Sequence, residues 1–188
     1  MKIKGYLASI GLMFAMSVPV GAAAQGLRAE VTADDYNHLQ LTFITSDVRV
    51  GETTVCGRAF GTLELEGCIP AAAVGRPSLP AASWLIEVPL CRSIDVAVSD
   101  AVYDTLDAGQ LGMAGLLAPV QPDRRKSDTS PRRLAMDDAT YARDAYYSLP
   151  LAAVEAVGTA RDRRLARLTL SPLRYNPVSG KVVVCRSA

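Results

Sequence analysis

The chain has 188 residues, with 20 Lys+Arg against 19 Asp+Glu and a single histidine. That length holds one domain or a small pair. Balanced charge excludes the basic footprint of a nucleic-acid binder, and one histidine with no C-x-x-C spacing excludes the common zinc sites.

Lys2 and Lys4 open the chain, an apolar run from Tyr6 to Val20 follows, and Ala22, Ala23 and Ala24 precede Gln25. This is the pattern of a signal peptide cleaved between Ala24 and Gln25. The run is short for a membrane-spanning helix, and no later segment is long and apolar enough to cross a bilayer. No cysteine stands at the cleavage point, so a lipoprotein is not indicated. Removing residues 1–24 takes two lysines and no acid, leaving 18 basic and 19 acidic residues in a domain of residues 25–188.

Period-two alternation dominates what remains. Leu39, Leu41 and Phe43 alternate with Gln40 and Thr42; Val48 and Val50 continue the pattern, with Gly51 read as a turn. Gly57, Gly61, Gly67 and Pro70 read as turn positions between short strands. Trp84 to Val88 forms a strand ended by Pro89, and Ile94, Val96 and Val98 predict another. One or two helical turns are expected over 137–147, capped by Asp137 or Asp138. Ala166, Leu168 and Leu170 predict a strand that pairs, across turn residues Asn176, Pro177, Ser179 and Gly180, with a closing strand from Lys181 to Cys185. The fold class is all-β, an antiparallel sandwich or barrel. Residues 119–133, PVQPDRRKSDTSPRR, lack periodicity and predict a long exposed loop that carries Arg124, Arg125, Lys126, Arg132 and Arg133.

Export permits disulfides. Cys56, Cys68, Cys91 and Cys185 allow three pairings. The preferred one is Cys56–Cys68, bracketing a hairpin, with Cys91–Cys185 tying the last strand to a central one. Catalytic signatures are missing. His38 reads as a surface residue, which leaves no base for a thiol nucleophile, and neither a G-x-S-x-G elbow nor an H-E-x-x-H motif occurs. Asp34–Asp35 and Asp137–Asp138 are sequence neighbours that point apart in a strand, so they suit turns or caps better than acid–base pairs. The expectation is a chain that is not an enzyme and binds no cofactor or metal.

Four segments carry a family resemblance. Gly75, Pro77, Leu79 and Pro80, followed by Leu85 to Pro89, resemble the G-x-P-x-L-P … I-x-V-P signature of the propeptide of gingipain-type (C25) cysteine peptidases. The stretch from Ile94 to Val98 with Tyr103, then Leu117 to Pro122, is similar to the strand and proline-rich opening of that family's variable loop. Gly158, the strand around Leu168, and Pro172, Tyr175, Asn176 and Pro177 look like its closing x-P-x-x-Y-N-P hairpin. The resemblance covers roughly residues 27–187. It implies a non-catalytic domain that blocks a peptidase cleft until it is cleaved away. The basic loop suggests how: an arginine enters a carboxylate-bearing pocket, the alternative being a solvated, protease-sensitive linker. The resemblance also implies a Gram-negative envelope, hence the periplasm, the cell surface or the medium.

Family propeptides precede a long peptidase domain, whereas this sequence stops at Ala188. The expectation is therefore a propeptide-like partner acting in trans, by inhibiting a gingipain-like peptidase or assisting its folding. The alternatives are a surface β-sandwich used in binding or adhesion, or a truncated precursor remnant exposed to aggregation through an unpaired closing strand at Val182–Val184.

Overall fold

The computed structural model describes residues 26–35, 38–90, 93–123, 125, 127 and 133–188. The signal segment with Ala24 and Gln25, and Cys91, Arg124, Lys126 and Arg132, lie outside them. Twelve strands and one short helix are present among the described residues. Three strand groups make an antiparallel, curled half-barrel, as the alternating pattern predicts.

The first sheet holds β1 (Leu27–Asp34), β2 (Leu39–Thr45), β7 (Val102–Asp107), β8 (Tyr147–Ser148), β11 (Leu173–Tyr175) and β12 (Lys181–Ser187). β12 is its axis. β7 runs along one edge of it, from Lys181↔Asp107 to Ser187↔Val102. On the opposite edge β11 covers Val182 to Val184, and β2 meets the far end at Ser187↔Ile44. Two backbone bonds between Phe43 and Ala188, 2.9 and 3.3 Å, extend that last contact. One strand serving two partners on one edge makes the sheet split and curl.

The second sheet runs β5 (Ile69–Ala71), β6 (Leu79–Val88), β10 (Arg163–Leu170), β9 (Ala152–Ala160). β3 (Arg49–Val55) and β4 (Arg58–Glu64) form a separate hairpin, whose Gly61 bridges Leu117. One core packs Leu79, Leu117, Leu173, Tyr175, Val182 and Val184. The other packs Phe43, Leu168, Leu170 and Cys185 between the two sheets.

Several local expectations change. Gly51 and Gly61 lie inside β3 and β4 rather than in turns. A Cβ on Gly61 would stand 2.2 Å from Met113 Cγ, so the glycine serves close packing rather than chain reversal. The turn is made by Cys56 and Gly57, with φ of 50° and 80°, the paired left-handed geometry of a tight hairpin. Pro70 sits in β5, a short edge strand, where its missing N–H costs no internal ladder bond.

Ile94 to Val98 is irregular and largely exposed, because among the described residues no strand pairs with it in a ladder; β7 begins only at Val102. β10 pairs with β6 and β9, not with the closing strand. The chain changes sheets at Ser171–Pro172, and the short β11 becomes β12's hairpin partner. β12 is paired on both edges, and Val182 and Val184 are fully buried. The unpaired closing strand, and the aggregation risk attached to it, therefore do not arise.

Cys56, Cys68 and Cys185 are free thiols. Cys56 occupies the exposed tip of the β3–β4 hairpin, while Cys68 packs beside Leu63 and Leu65 past its other end. Seven residues of β4 intervene, roughly 23 Å of strand, against a disulfide Cα separation of about 4.4–6.8 Å. That distance overturns the Cys56–Cys68 pairing. The Cys185 thiol donates to the Ser187 carbonyl at 3.4 Å, and its suggested partner Cys91 is outside the described residues.

Candidate functional site

Two of the segments singled out in the sequence meet. Ser78 N–H donates to the Ala118 carbonyl and Val120 N–H to the Arg76 carbonyl, each at 2.9 Å, with Pro77 opposite Pro119. The prolines fall where the absent N–H removes no bond from this short ladder. Gly75 extends it: its N–H donates to Val120 O, and its carbonyl accepts from Asp137 N–H, both at 2.8 Å. Its φ is +84°, and a Cβ there would lie 3.2 Å from the Asp137 nitrogen, so two constraints call for glycine.

The basic loop leaves this ladder at Pro122 and returns at Leu134. Its neck is closed by one side chain. Gln121 Nε2 donates to the Ala135 carbonyl at 2.9 Å, and Gln121 Oε1 accepts from Ala135 N–H at 3.0 Å. The second Nε2 hydrogen goes to Pro119 O at 3.0 Å. The carboxamide thus acts as an extra peptide unit pairing the two stems.

Past the neck, α1 (Asp138–Ala142) is capped by Asp137, whose carboxylate accepts from the Thr140 hydroxyl at 2.7 Å. That bond above all, aided by the Arg76 guanidinium 3.6 Å away, holds the Asp137 carboxyl below its usual range. Arg76 also lies 5.9 Å from the centre of the Tyr147 ring.

Beneath the neck two tyrosines converge on Leu117. The Tyr141 hydroxyl donates to the Leu117 carbonyl at 2.7 Å, and Tyr175 is buried in the same core cluster as Leu117. Burial raises the proton affinity of both phenols. Asn176 builds the β11–β12 turn. Its Oδ1 accepts from Val178 and Ser179 N–H at 3.0 and 3.2 Å, and its Nδ2 donates to Asp144 at 2.8 Å. Pro77, Leu79, Pro80, Pro172 and Pro177 are buried, and Pro89 is half-buried just past β6. The motif residues therefore make a frame around the loop stems. Among the loop's basic side chains, Arg125 and Arg133 are described, and both are exposed.

The family model Propeptide_C25 matches residues 30–187. The chain belongs to the C25 propeptide family. Lys-gingipain HG66 of Porphyromonas gingivalis is 29% identical over 184 residues, covering 97% of this chain and 10% of that protein. The C25 propeptide chain thus spans about a tenth of the length of the curated relatives it matches. A structure of gingipain K from the same organism, described as giving insight into zymogenic latency, superposes with a TM-score of 0.78 at 29% identity, covering 88% of this chain and 91% of that one. A complex of the pro- and mature domains of RgpB from that organism shares the fold, with a TM-score of 0.69 at 16% identity over 85% and 79% of the two chains.

The C25 propeptide's frame gathers three of the four quoted segments: the G-x-P-x-L-P run, the proline-rich loop opening and the closing hairpin. It does not gather Ile94 to Val98. Sequence reasoning missed Gln121, Asp137 as the ladder's last rung, and Tyr141. Each acts through a contact distant in sequence, and the only local hint was the cap spacing of Asp137 and Thr140. His38 lies in the β1–β2 turn, where its N–H donates to Asp35 Oδ1 at 2.8 Å, remote from the loop frame. What the frame can do chemically is display cationic side chains on a loop with anchored ends.

Proposed function

We propose that this C25 propeptide binds a gingipain-like cysteine peptidase in trans and holds it latent, without being an enzyme itself. The observation that carries this reading is the pairing of family membership over residues 30–187 with an arginine-bearing loop whose neck is clamped. A cation displayed from a fixed base forfeits less conformational freedom on entering a pocket than one on a free tail. A guanidinium suits a pocket carboxylate because two parallel N–H donors match its two oxygens. Arg124, Arg125, Arg132 and Arg133 are the candidates, and Lys126 is the poorer one, being a point charge without the fork. The same reading has the chain exported, with residues 1–24 as the cleaved signal and residues 25–188 as one domain in the periplasm, at the cell surface or outside.

The test adds the purified protein to a gingipain-like peptidase and follows substrate turnover. Inhibition is expected, and one Arg→Ala change in the loop should weaken it roughly 30-fold or more, the cost of losing a buried anchor. An inhibitor whose strength survived all four changes together would exclude the loop. A protein that inhibited nothing would overturn the latency reading.

A further inference from the structure

We propose that the open end of the sandwich, away from the loop, is a docking groove for an extended peptide segment of a partner protein, one that alternates bulky apolar with basic side chains. The inward rows of β1 and β2 run out of cover toward one end, and on β6 the same row is open at Trp84 before it is buried again at Val88. On β2, Phe43 is buried, Leu41 half-buried and Leu39 exposed; on β1, Leu27 and Ala29 are half-buried while Val31 is 58% exposed. On β6, Ala82 is buried but Trp84 is 37% exposed. Strand alternation commits these side chains to an interior that the sheets no longer enclose. The space between them is a groove of about 640 Å³, and an overlapping second lobe continues it along Ser93 to Ala97.

Charge selects the occupant. Among the described lining residues, Asp34, Asp35, Asp162 and Glu87, the last paired with Arg163 at 3.2 Å, stand with the Arg164 guanidinium. A segment entering an apolar slot with a carboxylate-rich rim is favoured when its own flanking charges are positive. β1 is also the outer strand of its sheet, so the backbone beside the groove is an edge of the kind that accepts an added strand. A second copy of this chain is the weaker fit, since two such rims would face each other with like charge.

The groove is separate from the loop. β6 starts at the loop frame and ends in the groove, ten residues later, roughly 30 Å of extended chain. The proposal therefore stands apart from the latency reading, and its test needs no peptidase. Trp84 is the chain's single tryptophan, so its emission reports the groove alone.

The purified protein is titrated with a hexapeptide alternating leucine and lysine. A saturable blue shift of Trp84 emission is expected, with roughly tenfold weaker binding for the peptide carrying glutamate in place of lysine. The double change Asp34→Asn, Asp162→Asn should weaken the lysine peptide about threefold, and raised salt should weaken it further. Leu39→Ser, at the exposed rim, lowers affinity with no loss of far-UV circular dichroism. No shift at millimolar peptide, or equal binding of the glutamate peptide, overturns the proposal. So does a shift that follows protein concentration without peptide and sediments as a dimer.

Discussion

At the residue scale, the loop's geometry rests on two positions with no charge. Gln121 replaces a rung of backbone ladder with its side chain, donating twice and accepting once. Gln121→Ala removes those bonds and leaves the neck open. The expected cost is about 1 kcal/mol of global stability, a small drop in thermal midpoint. The local effect is larger: hydrogen exchange at the Ala135 amide and proteolytic nicking within 122–134 should both rise, as opening frees the segment from its base. Unchanged exchange at Ala135 would show that the clamp holds nothing. Nothing in the run PVQP marks Gln121 for this task, because its partner lies 14 residues away. Gly75 was legible, since a glycine before two prolines reads as a turn, and its positive φ agrees.

At the element scale, identical alternation led to opposite outcomes. Val182 and Val184 alternate in β12, between β7 and β11, whereas Val96 and Val98 alternate in a segment that no strand pairs with among the described residues. A carboxylate at position 184 would be buried without a partner. Val184→Asp should therefore cost more than about 4 kcal/mol and abolish cooperative unfolding. Val96→Asp, at a half-exposed site, should stay within about 0.5 kcal/mol of the parent. Parallel urea titrations followed by circular dichroism decide it, and a large loss at Val96 would restore a structural role to that stretch. The pairing of β10 failed for a related reason. Period two announces a strand, but partner choice depends on where Ser171 and Pro172 carry the chain next. Here they lead to β11, two residues on, which intervenes between β10 and β12.

At the scale of the whole molecule, both sheets and the hairpin between them share one buried centre, and it is sensitive to alkali. Burial raises the Cys68 thiol to about 11 and moves Tyr141 and Tyr175 upward as well. Each group keeps its proton in the folded state at a pH where the unfolded chain, with ordinary values of 9.0 and 10.0, has released it. The unfolded state then binds fewer protons, so stability falls as pH rises. Stability contributed by the neutral forms is complete below about pH 9 and is lost above it. Chemical denaturation at pH 8, 9.5 and 10.5 should show the midpoint declining only in the last two. A midpoint flat to pH 10.5 would mean the phenols and the thiol are wetter than their packing indicates. Local repetition carried the all-β class, most strand positions, the Asp137 cap, the Asn176–Gly180 turn and the ordered motifs of the family. These signals survive in isolation because alternation and turn chemistry act within a few residues. Long-range packing settled which strands pair, that β12 is central, that Cys56 and Cys68 lie at opposite ends of a hairpin, that Gln121 closes the loop, and that the sandwich stands open at Trp84. Those outcomes depend on contacts between residues tens of positions apart, where closing the intervening chain costs entropy that no local pattern records.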